Sequence, residues 1–333
     1  PEYAAYFFRG PRFRQAVTAM STLSTRASLN NSMLERLEVV LPPKKVQESI
    51  GNILKTLDDK IELNRRMNAT LEAMSRAIFK SWFVDFDPVR QRAAGKQPIG
   101  MDAETAALFP NSFEDSELGE VPTGWEVIAL ENIASVIDCL HSKKPEEVEY
   151  SDFLLLQVFN VGNDGRLVFD KKYFVDEPDY GKWIKRMEVV GGDLVVTKTG
   201  RVGAVGQMPT GGRAAMGRNM VGIRALPDRA TPYYLKDMLL SDRMRREMTK
   251  NTNDGTILKS LHVKAIEKLK DVQPPFGLVQ QYELRTKEIH IQQEVNDREI
   301  VSLAALRDTL LPKLLSGEIR VPEAEEAVEE AVA

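Results

Sequence analysis

Leu41-Pro42-Pro43-Lys44-Lys45-Val46-Gln47-Glu48 and Gln273-Pro274-Pro275-Phe276-Gly277-Leu278-Val279-Gln280 set two Pro-Pro pairs 232 residues apart, and reading them together decides the fold. The same offset relates Leu71-Glu72-Ala73-Met74 to Leu303-Ala304-Ala305-Leu306. Ahead of the prolines, Pro1 to Ala19 (Tyr3, Tyr6, Phe7, Phe13, Val17) resembles Pro232 to Lys250 (Tyr234, Leu235, Leu239, Met244, Met248). Three matches within one residue of the same offset make an internal repeat, and a repeat dictates architecture. Each copy runs helix, polar loop, short apolar segment, Pro-Pro, long helix.

Proline is tolerated and preorganised in a first helical turn, so Pro43 and Pro275 predict helix starts. No further proline appears until Pro88 and Pro312. In the first helix Ile50, Leu57, Asn64, Leu71 and Ile78 fall at steps of seven, flanked by Ile53, Met67 and Met74, with Lys60 breaking the set. In the second, Ile289, Asn296, Leu303 and Leu310 do the same, flanked by Leu306. Sevenfold spacing indicates a coiled-coil seam, with amphipathic surface helices as the alternative. About 40 residues at a rise of about 1.5 Å give a rod of about 60 Å, which favours the seam. Asn64 and Asn296 interrupt it near the two helix centres. If the helices run antiparallel, these residues are expected to face each other and help set register, the alternative being that both amides point to solvent. Trp82, Phe83 and Phe86 crowd the end of the first helix. So much aromatic surface is expected to pack against a neighbouring domain or a partner subunit.

Bulk properties set limits without choosing a function. There is no apolar run of roughly 20 residues for a membrane helix and no basic-then-apolar leader. Cys139 is the single cysteine, so no internal disulfide forms and cytoplasm is the default compartment. The net charge of −4 is unevenly spread. Glu323, Glu325, Glu326, Glu329 and Glu330 load the last residues, whose composition predicts disorder. Between Val121 and Pro275, basic residues slightly outnumber acidic ones, which permits DNA contact without requiring it. From Asp87 to Glu120 glycines and prolines mark a linker, with a short helical stretch near Ala103 to Leu108. Val121 to Gln273 reads as a mixed domain. Its expected strands are Phe153-Leu154-Leu155-Leu156, Leu194-Val195-Val196 and Val221-Gly222-Ile223, and a helix is expected from Pro232 to Thr249.

Several motifs then fall into a familiar order: Gly119-Glu120-Val121-Pro122-Thr123-Gly124-Trp125, the run from Gly192-Asp193-Leu194 to Arg201-Val202-Gly203, and Asn219-Met220-Val221-Gly222-Ile223-Arg224. Pro232-Tyr233-Tyr234-Leu235 and a polar loop at Thr252 to Thr256 follow, and the two Pro-Pro helix starts carry Gln47-Glu48 and Gln280-Gln281. Over nearly its whole length the chain resembles the specificity subunits of type I restriction-modification systems. That resemblance implies an α+β fold, with a mixed α/β target-recognition domain and two long antiparallel coiled-coil spacer helices. It divides the chain into 1–40, the C-terminal remnant of a first recognition domain; 41–86, the first spacer helix; 87–116, a linker; 117–274, the second recognition domain; 275–317, the second spacer helix; and 318–333, an acidic disordered tail. Position 1 is Pro rather than Met and 1–40 match only the end of a recognition domain, so a truncated start is expected. The implied role is non-catalytic: reading half of a bipartite site on double-stranded DNA and scaffolding methyltransferase (modification) subunits and a motor-nuclease (restriction) subunit. The assembled complex would be an N6-adenine DNA methyltransferase and ATP-dependent endonuclease, while this chain would need no cofactor. A coiled-coil protein-interaction module without DNA specificity is the alternative.

Gln273-Pro274-Pro275-Phe276 superficially resembles an amino-methyltransferase motif, but no Gly-rich cofactor loop accompanies it. Gly200-Arg201-Val202-Gly203 lacks the following helix that a phosphate-cradling loop requires, because Pro209 forbids it. Within the resemblance, Lys198, Thr199 and Arg201 sit on a turn able to meet DNA, or else merely support that turn. Arg218 and Asn219 are the residue types that bond guanine and adenine edges; otherwise they are surface groups. Thr252, Asn253, Thr256 and Lys259 precede a helix and serve either as caps or as phosphate contacts. Arg243, Arg245, Arg246 and Lys250 form a basic cluster that steers phosphate or is simply solvated. His141, His262 and His290 are too scattered to ligate a metal, and Cys139 with His141 makes half a site.

Overall fold

In the computed structural model, which describes residues 2–21, 30–254 and 259–332, the first long helix runs Lys44–Phe83 and the second Phe276–Ser316. Gln47 closes the start of the first by donating from Nε2 to the Pro42 carbonyl at 2.8 Å. The chain divides into two compact units, Pro1–Ala69 with Val295–Ala333, and Thr70–Glu294, so each long helix contributes to both. Among the described residues no helix is long and apolar enough to cross a membrane.

In the first unit Ile50, Ile53, Leu54, Leu57 and Ile61 put one helical face into a core with Leu303, Leu310, Leu311 and Leu314. Each such side chain contributes about 1.5–3 kcal/mol on full burial. The two segments are antiparallel: Asp58 pairs with Arg307 at 2.7 Å, Lys60 with Glu299 at 3.2 Å, and Asn68 with Asp297 at 2.8 Å. Tyr3, Tyr6 and Phe7 of the helix Glu2–Arg9 cover the same core.

Two expectations need correction here. Asn64 and Asn296 are both buried, so neither amide faces solvent. Yet Asn296 donates to Asn68 at 2.8 Å, and the Nδ2 of Asn64 has no partner among the described residues. Periodicity fixes which face is buried but not the axial offset between helices, and the observed offset places Asn68, one turn on, opposite Asn296. The acidic tail is not disordered either. Val321–Val332 is a helix whose Ala324 and Val328 are buried in the same core. Its apolar residues recur at helical spacing among the glutamates, so acids occupy one face and the core takes the other.

The second unit is built around rings. Phe79, Trp82 and Phe83 from the first long helix meet Tyr282 from the second and Tyr234 from the helix Pro232–Leu240. Phe83 stands edge-on to Tyr234 with centroids 5.3 Å apart, and Phe86 is edge-on to Trp125 at 5.6 Å. Trp82, Phe83 and Phe86 are therefore buried inside their own chain, at 5 % exposure or less: of the two expectations for them, packing on a neighbouring domain holds and a partner surface does not. The nominal linker is also part of this core. It forms short helices at Asp87–Ala93 and Ala103–Ala107 and inserts Val89 and Phe109.

Against the rings lies a five-stranded sheet in the order Ala134–Asp138, Met220–Ala225, Leu194–Thr197, Val205–Gln207, Gly165–Arg166. All neighbours are antiparallel except the last pair. Every residue of Leu194–Thr197 is buried, as a continuous apolar run predicts for a central strand. Arg224 clamps the start of that strand through two bonds to Asp193, at 2.7 and 2.6 Å. A three-stranded sheet places Arg213–Met216 between Leu155–Leu156 and Glu188–Val190. The helix expected from Pro232 to Thr249 is broken at Ser241, whose side chain caps a second helix, Asp242–Lys250. The first copy breaks similarly, at Gly10, between Glu2–Arg9 and Pro11–Ser21.

Replacing Trp82 with Ala is expected to cost about 3–5 kcal/mol in urea unfolding, as core truncations of this size do. Leu284→Ala, at a side chain 67 % exposed, is expected to stay within about 0.5 kcal/mol of the parent. Equal effects of the two changes would refute this account of the core.

Candidate nucleic-acid interface

The residues that the sequence singles out for DNA contact lie on different loops, and the sheet brings those loops to one end. Lys198, Thr199 and Arg201 occupy the turn between Leu194–Thr197 and Val205–Gln207, while Arg218 and Asn219 precede Met220–Ala225. Lys198 N–H donates to the Asn219 carbonyl at 2.7 Å, which joins the two loops. Thr252–Asp254 and Lys259–Leu261 pair as an antiparallel ribbon. The ribbon abuts the same turn through a Thr199–Ser260 bridge and a Leu261 N–H bond to the Lys198 carbonyl at 2.9 Å. Thr256 lies outside the described residues.

The cations on this rim are not equivalent. Lys198 is largely buried and ion-paired with Asp138, whose other oxygen meets His141 Nε2 at 2.7 Å. Burial alone would push the Asp138 carboxyl up, but hydrogen bonds from Lys198 and His141, and their charges, hold it below its ordinary value. Arg201 donates to the carbonyls of Val161 at 2.7 Å and Gly162 at 3.1 Å, and to the Asn163 side chain, pinning the turn to a neighbouring loop. Arg243 is paired with buried Asp271 at 2.7 Å, and Lys250 with Glu247 at the same distance. Thr252 returns its hydroxyl to the Met248 carbonyl at 2.7 Å, a cap on the helix end rather than an open donor.

That leaves three arginines. Arg218, Arg245 and Arg246 are exposed, and their side chains have no hydrogen-bond or ion-pair partner among the described residues. Arg245 lines a cleft of about 490 Å³ with Arg201, Thr249, Thr252 and Lys259. Arg218 sits between Gly217, where an added Cβ would collide with the Leu156 carbonyl oxygen, and Asn219, whose φ is +65°. Asparagine is among the few non-glycine residues that take this left-handed conformation readily. The loop backbone is thus pressed against a neighbouring strand while the arginine projects freely.

The sequence missed Asp138 altogether. Asp138, Cys139 and His141 bring one ligand-type atom each within 4.8 Å of one another, completing what looked like half a metal site. The Lys198 ammonium already occupies that carboxylate, however, and its charge opposes a cation there.

Fold and rim together give a sheet that gathers exposed arginines and polar loops at one end and packs against long helices. Comparisons with known proteins show what this chain is similar to. The family model "Type I restriction modification DNA specificity domain" matches residues 1–73, the first copy of the repeat. The HindI specificity subunit of Haemophilus influenzae is 26 % identical over 90 % of this chain and 73 % of its own. The MjaIX specificity subunit of Methanocaldococcus jannaschii is 25 % identical over 97 % and 70 %. The solved S subunit from M. genitalium shares the fold, with a TM-score of 0.53 at 16 % identity, over 94 % of this chain and 72 % of that one. Over most of its length the chain is thus similar to type I restriction enzyme specificity subunits, and its fold is that of a solved S subunit.

The Asp138 carboxyl is held low in the folded state, so its stabilising contribution is complete above the unfolded value of about 3.9 and is lost as pH falls through the folded value. Asp138→Asn is therefore expected to be less stable than the parent near neutrality, by on the order of 1–2 kcal/mol. Urea unfolding as a function of pH should show that gap closing in acid; a gap of undiminished size in strong acid would refute it.

Proposed function

We propose that this chain is the sequence-reading subunit of a type I restriction-modification complex and binds duplex DNA with the arginine-bearing rim. The observation that carries the reading is the convergence of three separate loops on one end of a single sheet, with Arg218 left free on a fixed backbone. Lys198 and Arg201, for which the sequence leaves DNA contact and support of the turn both open, act as struts. Lys198 holds Asp138, and Arg201 holds the 161–163 loop. Arg218 and Asn219 face base edges in this reading, an arginine fork matching guanine O6 and N7. Arg245, Arg246 and Lys259 meet phosphates, together with Thr199 and Asn253 on the adjoining turn and ribbon. The reading assigns no chemistry to this chain. Methyl transfer to adenine and ATP-dependent cleavage belong to the modification and restriction subunits that it scaffolds.

Comparing methylomes of cells with and without the gene returns the recognised motif. With that motif in hand, Arg218→Ala in the assembled complex is expected to lose about 1–3 kcal/mol of discrimination between cognate and scrambled duplexes. Arg245→Ala and Arg246→Ala are expected to weaken both duplexes alike and to reduce the salt slope by about one for each phosphate that is no longer neutralised. A parental cognate-to-scrambled ratio in Arg218→Ala would overturn the assignment.

A further inference from the structure

The second unit contains a group of buried charges that DNA reading does not use. The helix Pro232–Leu240 is buried from Tyr233 to Leu240, including adjacent Lys236 and Asp237, at 5 % and 4 % exposure. One oxygen of Asp237 accepts from Ser75 on the first long helix at 2.5 Å and from Tyr282 on the second at 2.5 Å, and lies 3.2 Å from His290 Nε2. Lys236 Nζ lies 3.2 Å from His290 Nδ1, and Tyr233 stacks on the imidazole at 4.3 Å. Gln293 Oε1 lies at the same 3.2 Å from Nδ1, so both ring nitrogens of His290 are engaged within the cluster.

Apolar surfaces in the same place would bury without this desolvation cost and would pack at least as stably. What a carboxylate with three converging donors adds is direction. Apolar helices can slide by a turn, about 5.4 Å, and still bury area; this cluster would lose every bond on such a slide. The repeat supplies a second, independent observation. At the offset of 232, His290 corresponds to Asp58 and Ser75 to Arg307. Those two are also bonded, at 2.7 Å, and Asp58 accepts from Tyr6 of the helix Glu2–Arg9 at 2.7 Å. In each copy, then, polar groups join the two long helices to a shorter helix at equivalent positions, with different residues.

We infer that Asp237, acting through Ser75, Tyr282 and His290, is a positioning residue that fixes the register in which the recognition sheet is carried on the two long helices. The inference rests on the DNA reading above, because register matters if the sheet must meet its half-site at a set distance from the rest of the complex.

The test uses the assembled methyltransferase complex and duplexes carrying the bipartite motif at its native spacing, or with one base pair added or removed. The combined variant Lys236→Met, Asp237→Leu, His290→Leu removes the directional groups together and is expected to fold with an unchanged or raised Tm. The parent is expected to methylate the native spacing at least about tenfold faster than either neighbour, and the variant less than about threefold faster. A purely structural role would change Tm or overall rate and leave the spacing profile alone, so a folded variant with the parental profile overturns the inference. Should that variant not fold, Ser75→Ala, which removes one donor, is expected to narrow the preference by about threefold, and an unchanged preference is equally decisive. A parent indifferent to spacing would overturn the bipartite reading itself, a result distinct from either.

Discussion

Neither long helix can leave its apolar face in water, and the burial of those two faces is the constraint on which the rest of the structure depends. In the first unit aliphatic side chains satisfy it: Ile50, Leu54 and Leu57 against Leu303, Leu310 and Leu314, closed over by short helices from both ends of the chain. In the second unit rings satisfy it: Phe79, Trp82 and Phe83 with Tyr282 and Tyr234. The difference matters, because ring packing extends continuously into the sheet and ties the recognition strands to the helices. Stability and presentation of the rim therefore share one core.

The electrostatics follow a division of labour between paired and unpaired cations. A cation held by a buried or half-buried acid, such as Lys198 by Asp138 or Arg243 by Asp271, organises the chain and has little charge left for a partner. Arg218, Arg245 and Arg246 are the reverse. This also explains how a chain of net charge −4 can carry unpaired basic side chains on the rim proposed to meet DNA. Five of its acids belong to a helix that packs in the other unit, and several more are engaged in intramolecular pairs.

Much of this was legible in the sequence, for identifiable reasons. Pro42-Pro43 and Pro274-Pro275 mark helix starts because proline constrains the backbone locally, and the apolar steps of seven mark a buried face because helical geometry is regular. The turn after Leu194–Thr197 was readable from Gly200, Gly203 and Pro209. What failed were properties that live between elements. The pairing of Asn296 with Asn68 rather than Asn64 depends on an axial offset that no single helix encodes. That Trp82, Phe83 and Phe86 pack on their own chain rather than on a partner subunit, an alternative the sequence left open, is decided by Tyr234 and Tyr282, which are distant in sequence. The tail was misread because composition counts its glutamates and ignores that Ala324 and Val328 share a face. At the rim the loops were found, but the roles of Lys198 and Arg201 turned on partners, Asp138 and the Val161 and Gly162 carbonyls, that no local pattern announces.

Gly217 has a consequence for how such a protein can change. With no side chain of its own it lets the loop backbone lie against Leu156, and that packing holds whatever residue follows. Position 218 is thus mechanically separate from the fold: its side chain is exposed, has no partner among the described residues and is carried on a backbone that packs against the neighbouring strand. Exchanging that residue alters the chemistry offered to a partner without asking the core to repack. A new preference is then reachable by single substitutions that leave the molecule's stability nearly where it was. Gly217 itself has no such freedom, and the latitude of one position rests on the constraint at the one before it.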